Sequence, residues 1–231
     1  MANKCKSLDE LKAVTVDGRT VADLVIEEGG KTGEKTEIGA YEYLEAPSTT
    51  SYNHLGNKLA TIAGFNLEGV DAQVGKDVAM QVASMNPIAV DRDSVAKSIV
   101  EAEYNVAVEK TKEEQVKKAV EAALKKVGIN PNLVDSEDHI SSNIAKGWLT
   151  EEEADKARKI AKETAEAKAA NLPEQMIQNI ANGRVNKFYK ENCLMEQEFI
   201  KDGNLTIGKY LEQAQKGLVV VTFKRVNLNE D

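Results

Sequence analysis

The sequence is poor in the residues that define several large classes of protein. Its 231 residues include only 2 cysteines, 2 histidines and 4 prolines, and aromatic residues make up 5%. No stretch reaches the roughly 18 apolar residues of a membrane span, and the segment after Met1 lacks the apolar core of a signal peptide. Cys5 and Cys193 share no metal-binding or redox spacing. We therefore expect a reduced, cytoplasmic protein with no membrane segment.

Basic residues are also in deficit. The chain has 30 lysines and arginines against 38 aspartates and glutamates, which gives a net charge of −8 and a pI of about 5.1. A nucleic-acid-binding protein needs a basic field to neutralise phosphates, so we expect no direct contact with nucleic acid. The low aromatic content and the many alanines favour helices.

No group of residues predicts catalysis or metal binding. Gly30-Lys31-Thr32 resembles the end of a phosphate-binding loop, but Val25 occupies the position where that motif requires its first glycine. His54 and His139 have no second histidine or cysteine nearby in the sequence. Cys193 lies in an apolar helical setting that is typical of a small core residue. We therefore expect a binding or structural protein, not an enzyme, with no metal and no cofactor.

Short elements are predicted over the first 85 residues. Helices are expected after Ser7 and over 20–28, where Gly29-Gly30 ends the second one, and alternating apolar residues predict a strand over 36–45. The β-rich runs 49–54 and 59–65 flank a turn and predict a hairpin. A helix over 70–85 follows.

A long helical arm is predicted in the middle of the chain. Apolar residues step by four and three from Val95 to Val127, with acidic interruptions at Glu109 and Glu113, which indicates a heptad seam. Asp93 or Ser94 is the expected cap, and a break near the interruptions stays open. A polar loop with one helical turn at most should connect it to an alanine-rich helix that a capping box opens at Thr150.

The last part of the chain is predicted to complete the fold that begins before the arm. Pro173 is well placed to begin another helix, and the apolar run over 217–223 predicts a strand. Because strands lie on both sides of the arm, the arm is an insertion. The predicted fold class is α+β: a small antiparallel sheet packed on helices, with an inserted long antiparallel helical arm of coiled-coil type.

Three segments resemble the bacterial elongation factor Ts family. Ala-Met-Gln-Val-Ala-Ser-Met-Asn-Pro at 79–87 is similar to a family helix, and the hairpin at 51–60 resembles a second family segment. Residues 183–202 resemble the signature Gly-Arg…Lys-Phe…Glu…Leu…Gln-Pro-Phe-x-Lys-Asp, with Glu198 where proline is usual. The segments follow the family order over nearly the whole chain, and the arm resembles an enlarged coiled-coil protrusion of that family.

The resemblance implies a guanine-nucleotide exchange factor that binds elongation factor Tu in its GDP form and loosens magnesium and the phosphates. No covalent bond changes, so the factor and the nucleotide weaken each other's binding by the same coupling free energy. The alternative is a non-catalytic scaffold that forms a homodimer through the arm.

The resemblance also implies a division into subdomains. Residues 1–45 would be a remnant of the first core subdomain, 46–94 and 173–231 the second core subdomain, and 95–172 the arm. The family's first subdomain carries a Thr-Asp-Phe motif beside the nucleotide site, and none of the four phenylalanines of this chain follows an aspartate. We therefore expect a fragment that supplies docking contacts without the nucleotide-ejecting aromatic residue.

The resemblance carries three partner-binding positions over to this chain: Leu59 and Ala60 in the hairpin and Gln81 on the following helix. The family often has an isoleucine-glycine pair at the first two positions and a histidine at the third. Leu59 keeps an apolar side chain, although the alternation of the strand predicts a core position equally well. Gln81 keeps a hydrogen-bond donor that does not titrate, and we expect it to face solvent or the partner.

Overall fold

The computed structural model describes residues 5–229. They form eight α-helices and seven strands in three antiparallel sheets, which confirms the α+β class. The chain divides into two compact units, one made of Met1–Val95 with Tyr189–Asp231 and the other of Ala96–Phe188. The predicted subdomain limits stay a prediction. Within the described residues, no helix is both long and apolar enough to cross a membrane.

The elements have these bounds. The helices are α1 (Leu8–Ala13), α2 (Val21–Thr32), α3 (Ala72–Met85), α4 (Lys97–Lys126), α5 (Glu137–Ala145), α6 (Glu151–Ala170), α7 (Glu174–Asn192) and α8 (Ile207–Ala214). The strands are β1 (Thr15–Val16), β2 (Arg19–Thr20), β3 (Ser48–Asn53), β4 (Leu59–Phe65), β5 (Glu198–Phe199), β6 (Asp202–Thr206) and β7 (Val220–Asn227).

The central sheet of the first unit joins the two ends of the chain. Its strand order is β3-β4-β7, and both pairings are antiparallel, with Ala63 opposite Thr50 on one side and opposite Phe223 on the other. The predicted hairpin is confirmed, and so is the closure of the sheet by a strand from beyond the insertion. Asn66 fixes the start of β7, because its side chain bonds both Gly217 O and Val219 N.

The core of this unit lies between the sheet, α3 and α8. The inner face of β4 contributes Ala63 and Phe65, both fully buried, and apolar side chains from the other elements surround them. The backbone segment before the second unit and the segment after it also bond to each other. Leu194 N donates to Ala89 O, and Met195 N donates to Val90 O. Buried members of this core are Val78, Val82, Leu194, Phe199, Ile207, Leu211, Leu218 and Val220.

The segment over 36–47 has no regular secondary structure, so the strand predicted over 36–45 is wrong. The segment crosses the outer face of the sheet, where Gly64 would place a β-carbon 2.8 Å from that of Ala46, and Glu42 pairs with Lys224. Its apolar residues therefore cover a sheet face, whereas its backbone does not run along a sheet edge and forms no ladder.

Helix α2 continues through Gly29-Gly30 to Thr32, so its predicted end at residue 28 is wrong. The capping box at Thr20 begins the helix, and Gly33 ends it with a φ of 74°. A glycine within a helix costs only about 1 kcal/mol, whereas a left-handed glycine closes the helix end. The Gly30-Lys31-Thr32 run thus lies in a helical turn and forms no phosphate-binding loop.

In the second unit, α4 is one uninterrupted helix of 30 residues, so the acidic interruptions do not break it. Ala96 precedes it without a side-chain cap, and Asp91 instead accepts from Ser94 in the turn before, so the predicted cap is wrong. Leu124 near its end packs with Ala157 near the start of α6, as in an antiparallel pair.

The predicted heptad seam is wrong in its first half. Ile99 and Val106 are exposed, whereas Ala107 and Thr111 are buried, and the Thr111 hydroxyl donates to Ala107 O within the helix. A straight helix has 3.6 residues per turn, so a strict seven-residue pattern drifts around its surface. Arg184 of α7 pairs with Glu114, which shows that α7 lies beside this part of α4.

The connector between α4 and α6 is more ordered than predicted. It contains a 3₁₀ turn over Pro131–Leu133 and the nine-residue helix α5, whereas the sequence predicts a polar loop with one helical turn. Ile140, Leu149 and Ala154 form a small core there. Helix α5 is mostly polar, so its sequence did not predict a helix of this length. One apolar residue per turn is nevertheless enough to pack so short a helix against its neighbours.

Gly75 of α3 makes a close approach to β3 that predicts a stability effect. A β-carbon at this position would overlap the Thr50 side chain. We expect Gly75→Ala to lower the free energy of unfolding by about 1–3 kcal/mol, and Thr50→Ala to restore part of that loss in the double variant. Urea unfolding measures both effects.

Gly183 of α7 provides the matched control, because a β-carbon there meets no atom within 4 Å. Gly183→Ala should raise the free energy of unfolding by about 0.5–1 kcal/mol, as expected in an open helical position. Equal effects of the two substitutions would contradict the proposed overlap.

Candidate functional site

The end of the β3–β4 hairpin is exposed and ordered. His54 N donates to Leu59 O at 2.9 Å, and Asn57 N donates to His54 O at 3.0 Å. The side chains of Asn53 and Asn57 bond across the turn at 2.8 Å. Gly56 and Asn57 take positive φ values of 88° and 53°, which glycine and asparagine adopt most readily. The turn therefore presents its side chains to solvent in one defined arrangement.

Leu59 and Ala60 begin the second strand of this hairpin. Leu59 is half-buried and lies opposite Asn227, whereas Ala60 is exposed on the other face of the sheet and lies opposite Val226. The two neighbouring residues thus point to different faces, as they must in a strand. Only Ala60 offers its side chain freely to a partner, and the roles of both residues in partner binding stay predictions.

Gln81 is fully buried, so the expectation that it faces solvent or a partner is wrong. Its amide nitrogen donates to Glu198 O at 3.0 Å, and its amide oxygen accepts from Ile200 N at 2.9 Å. Gln81 thereby satisfies the backbone of the segment that follows α7. It lies three residues after Val78 on the same helix, and this spacing is the signal in the sequence that could have placed it inside.

Gln197 extends the same network. Its amide nitrogen donates to Glu191 O at 2.8 Å, and its side chain is buried beside that of Gln81. Phe199 packs in the core, and Lys201 bonds Asp77. The residues Gln197, Phe199 and Lys201 belong to the signature matched at 183–202, and in this structure they hold the fold together.

Asp77 is a buried carboxylate that no sequence motif predicted. It accepts from Lys201 Nζ at 2.7 Å, from Tyr210 Oη at 3.0 Å and from Gln73 Nε2 at 2.6 Å. Burial alone would raise the pKa of Asp77, but these hydrogen bonds outweigh it, so the pKa is lowered. Burial and the bond to Asp77 raise the pKa of Tyr210 to about 12.

The candidate catalytic groups lie in settings that do not favour reactivity. Cys193 is fully buried, and burial raises the pKa of its thiol to about 11, so the thiolate is scarce at neutral pH. His54 shares a hydrogen bond with Tyr52 at the exposed hairpin end, and His139 pairs with Asp135 in the other unit. Over residues 5–229, no three His, Cys, Asp or Glu side chains are grouped to hold a metal ion.

The first unit combines a fixed interior with an exposed hairpin end. The buried amides and the Asp77 cluster fix α3 against the segment after α7, and the sheet that packs on α3 carries the hairpin. An ordered, exposed hairpin end loses little conformational entropy when a partner binds it.

Comparison with known proteins points to one family. The family model described as Elongation factor TS matches residues 1–130 and 118–230. The Elongation factor Ts of Bacteroides thetaiotaomicron is 53% identical over 232 residues, which cover 100% of this chain and 70% of that protein. The Elongation factor Ts of Phocaeicola vulgatus is 51% identical with the same coverage. That of Porphyromonas gingivalis is 37% identical and is covered over 64% of its length.

The buried position of Gln81 predicts a large cost for its removal. Gln81→Leu keeps the size of the side chain but leaves Glu198 O and Ile200 N without partners, so we expect the free energy of unfolding to fall by about 2–4 kcal/mol. Gln175→Leu, at an exposed position on α7, is the matched control and should change it by less than about 0.5 kcal/mol. Urea unfolding at pH 7 compares the two, and equal effects would refute the role of this network.

The lowered pKa of Asp77 predicts a stability term that depends on pH. Since the folded state favours the ionised form, this term is present above the unfolded pKa of about 3.9 and disappears as the pH falls through the folded pKa. Asp77→Asn should therefore be less stable than the parent at pH 7, by about 1–3 kcal/mol, and the difference should shrink at pH 3. Thermal unfolding at both pH values measures it, and a difference that stays constant contradicts the assignment.

Proposed function

The chain belongs to the elongation factor Ts family of translation elongation factors, and from this membership we propose that it acts in guanine-nucleotide exchange on elongation factor Tu. The observation that carries the proposal is a match over the whole chain, at 53% identity to the Elongation factor Ts of Bacteroides thetaiotaomicron. In this proposal the chain supplies docking contacts to the GDP-bound GTPase. Its place of action would be the cytoplasm, where translation occurs.

We assign the docking contacts to the hairpin. Ala60 is exposed, Leu59 is half-buried beside it, and the turn before them is held by its own hydrogen bonds. Gln81 takes a different role in this proposal, because its side chain is fully buried. It acts as a positioning residue that fixes α3 below the sheet and so maintains the orientation of the hairpin.

The proposed exchange is a matter of linked binding equilibria, with no covalent step, so the chain would not be an enzyme in the usual sense. If the factor lowers the affinity of the GTPase for GDP, GDP must lower the affinity for the factor by the same ratio. The chain needs no metal or cofactor of its own for this role. Self-association through the arm is the second candidate, and the exposed Ile99 and Val106 are available for it.

The division between docking and nucleotide release can be tested directly. We expect the 231-residue chain to bind elongation factor Tu loaded with GDP, and to leave the release of a fluorescent GDP analogue at its spontaneous rate. The physical reason is that no phenylalanine of the chain follows an aspartate, so the aromatic wedge that the family resemblance implies is missing from these residues. Release at the full speed of an exchange factor would contradict this expectation.

The same binding assay tests the assigned hairpin face. Ala60→Arg should weaken binding by about tenfold or more, because it places a large charged side chain on an exposed contact position. Ala169→Arg, on an exposed position of α6, is the matched control and should bind like the parent. Equal binding of both variants would remove Ala60 from the docking surface.

A further inference from the structure

Leu55 forms the apex of the hairpin and is the most exposed large apolar side chain among residues 5–229, at 93%. A single exposed leucine is ordinary on a protein surface. This one stands at the end of an ordered turn, on the element that the proposed function assigns to docking. It therefore presents an apolar group to solvent on that element.

The turn does not need the Leu55 side chain. Its geometry comes from the backbone bonds between His54 and Leu59 and between Asn57 and His54, and from the amide pair of Asn53 with Asn57. A polar residue at position 55 would leave all of these bonds in place. The apolar side chain is thus unexplained by the stability of the hairpin.

A second exposed leucine lies at the same end of the sheet. Leu228 is 63% exposed, and its amide nitrogen donates to Lys58 O at 2.8 Å. This bond places the residue after β7 beside the hairpin turn. We call these three exposed residues at the hairpin end, Leu55, Lys58 and Leu228, the tip patch; two of them have apolar side chains and Lys58 has an ammonium group.

The hairpin itself carries a charge opposite to that of the whole chain. The chain carries a net charge of −8, yet residues 48–66 contain Lys58 and no aspartate or glutamate. A basic group next to apolar contacts favours a partner surface whose rim is acidic, because complementary charge accelerates encounter and fixes orientation. The tip patch is therefore complementary to a partner surface that has an apolar socket with carboxylates at its edge.

We propose that the tip patch is the anchor of the docking surface, with Leu55 inserted into an apolar socket on the GTPase and Lys58 facing carboxylates at the rim of that socket. This inference rests on the proposed function and adds to it the anchoring residue and the chemistry of the partner surface. Because the turn is already ordered, burial of Leu55 requires little loss of backbone entropy, and most of its transfer free energy contributes to affinity.

The test measures the affinity of the full chain for purified elongation factor Tu loaded with GDP. Leu55→Ser should raise Kd by about 10- to 100-fold, whereas Leu55→Met, which restores an apolar side chain, should stay within about threefold of the parent. Ile26→Ser on α2 is the matched control, since Ile26 is 73% exposed and lies outside the hairpin. Equal thermal midpoints of parent and variants show that the fold is retained.

Lys58→Glu tests the rim. It should slow association at low salt, and the difference from the parent should diminish as the salt concentration rises. A parent that binds while Leu55→Ser binds equally well overturns the anchor and leaves the proposed function intact. A parent that shows no binding to the GTPase overturns the proposed function and the anchor together. A salt-independent effect of Lys58→Glu removes the acidic rim from the inference.

Discussion

The pairing of buried polar groups on α3 with the segment after α7 is the interaction on which the first unit depends. Gln81 satisfies the backbone at Glu198 and Ile200, and Asp77 receives the ammonium group of Lys201. These partners are more than 110 residues apart in the chain. A buried amide or carboxylate that loses its partner is expensive, so these bonds specify one way for the two ends of the unit to meet.

The same constraint fixes the base of the hairpin. The sheet is closed by β7 and packed on α3, so movement of the hairpin base would disturb a core in which Phe65 and Val82 are fully buried. The turn beyond this base lacks such packing, and its own hydrogen bonds order it. Side chains on a rigid base with an exposed, ordered end lose little conformational entropy when a partner binds them.

Local patterns predicted most of the elements because their signals act over a few residues. The hairpin and the capping box at Thr150 follow from such signals, and so does the closing strand, which was predicted over 217–223 and lies over Val220–Asn227. The predictions that are wrong concern features that depend on packing against elements distant in the sequence. The alternation over 36–45 describes a segment that covers a sheet face, and Ile99 and Val106 turn away from the face of α4 that carries Ala107 and Thr111.

The candidate site shows the same division. The sequence by itself determined the α+β class, the insertion of a helical arm and the family. The reason is that the hydrophobic period, the capping residues and the order of the motifs can be read from residues close together in the sequence. Only the tertiary structure decided that Gln81 lies inside, that Asp77 is held by Lys201 and Tyr210, and that Leu55 and Leu228 share one end of the sheet. The reason is that burial and polar partnership are properties of residues brought together across long separations, and no local pattern contains the identity of the distant partner.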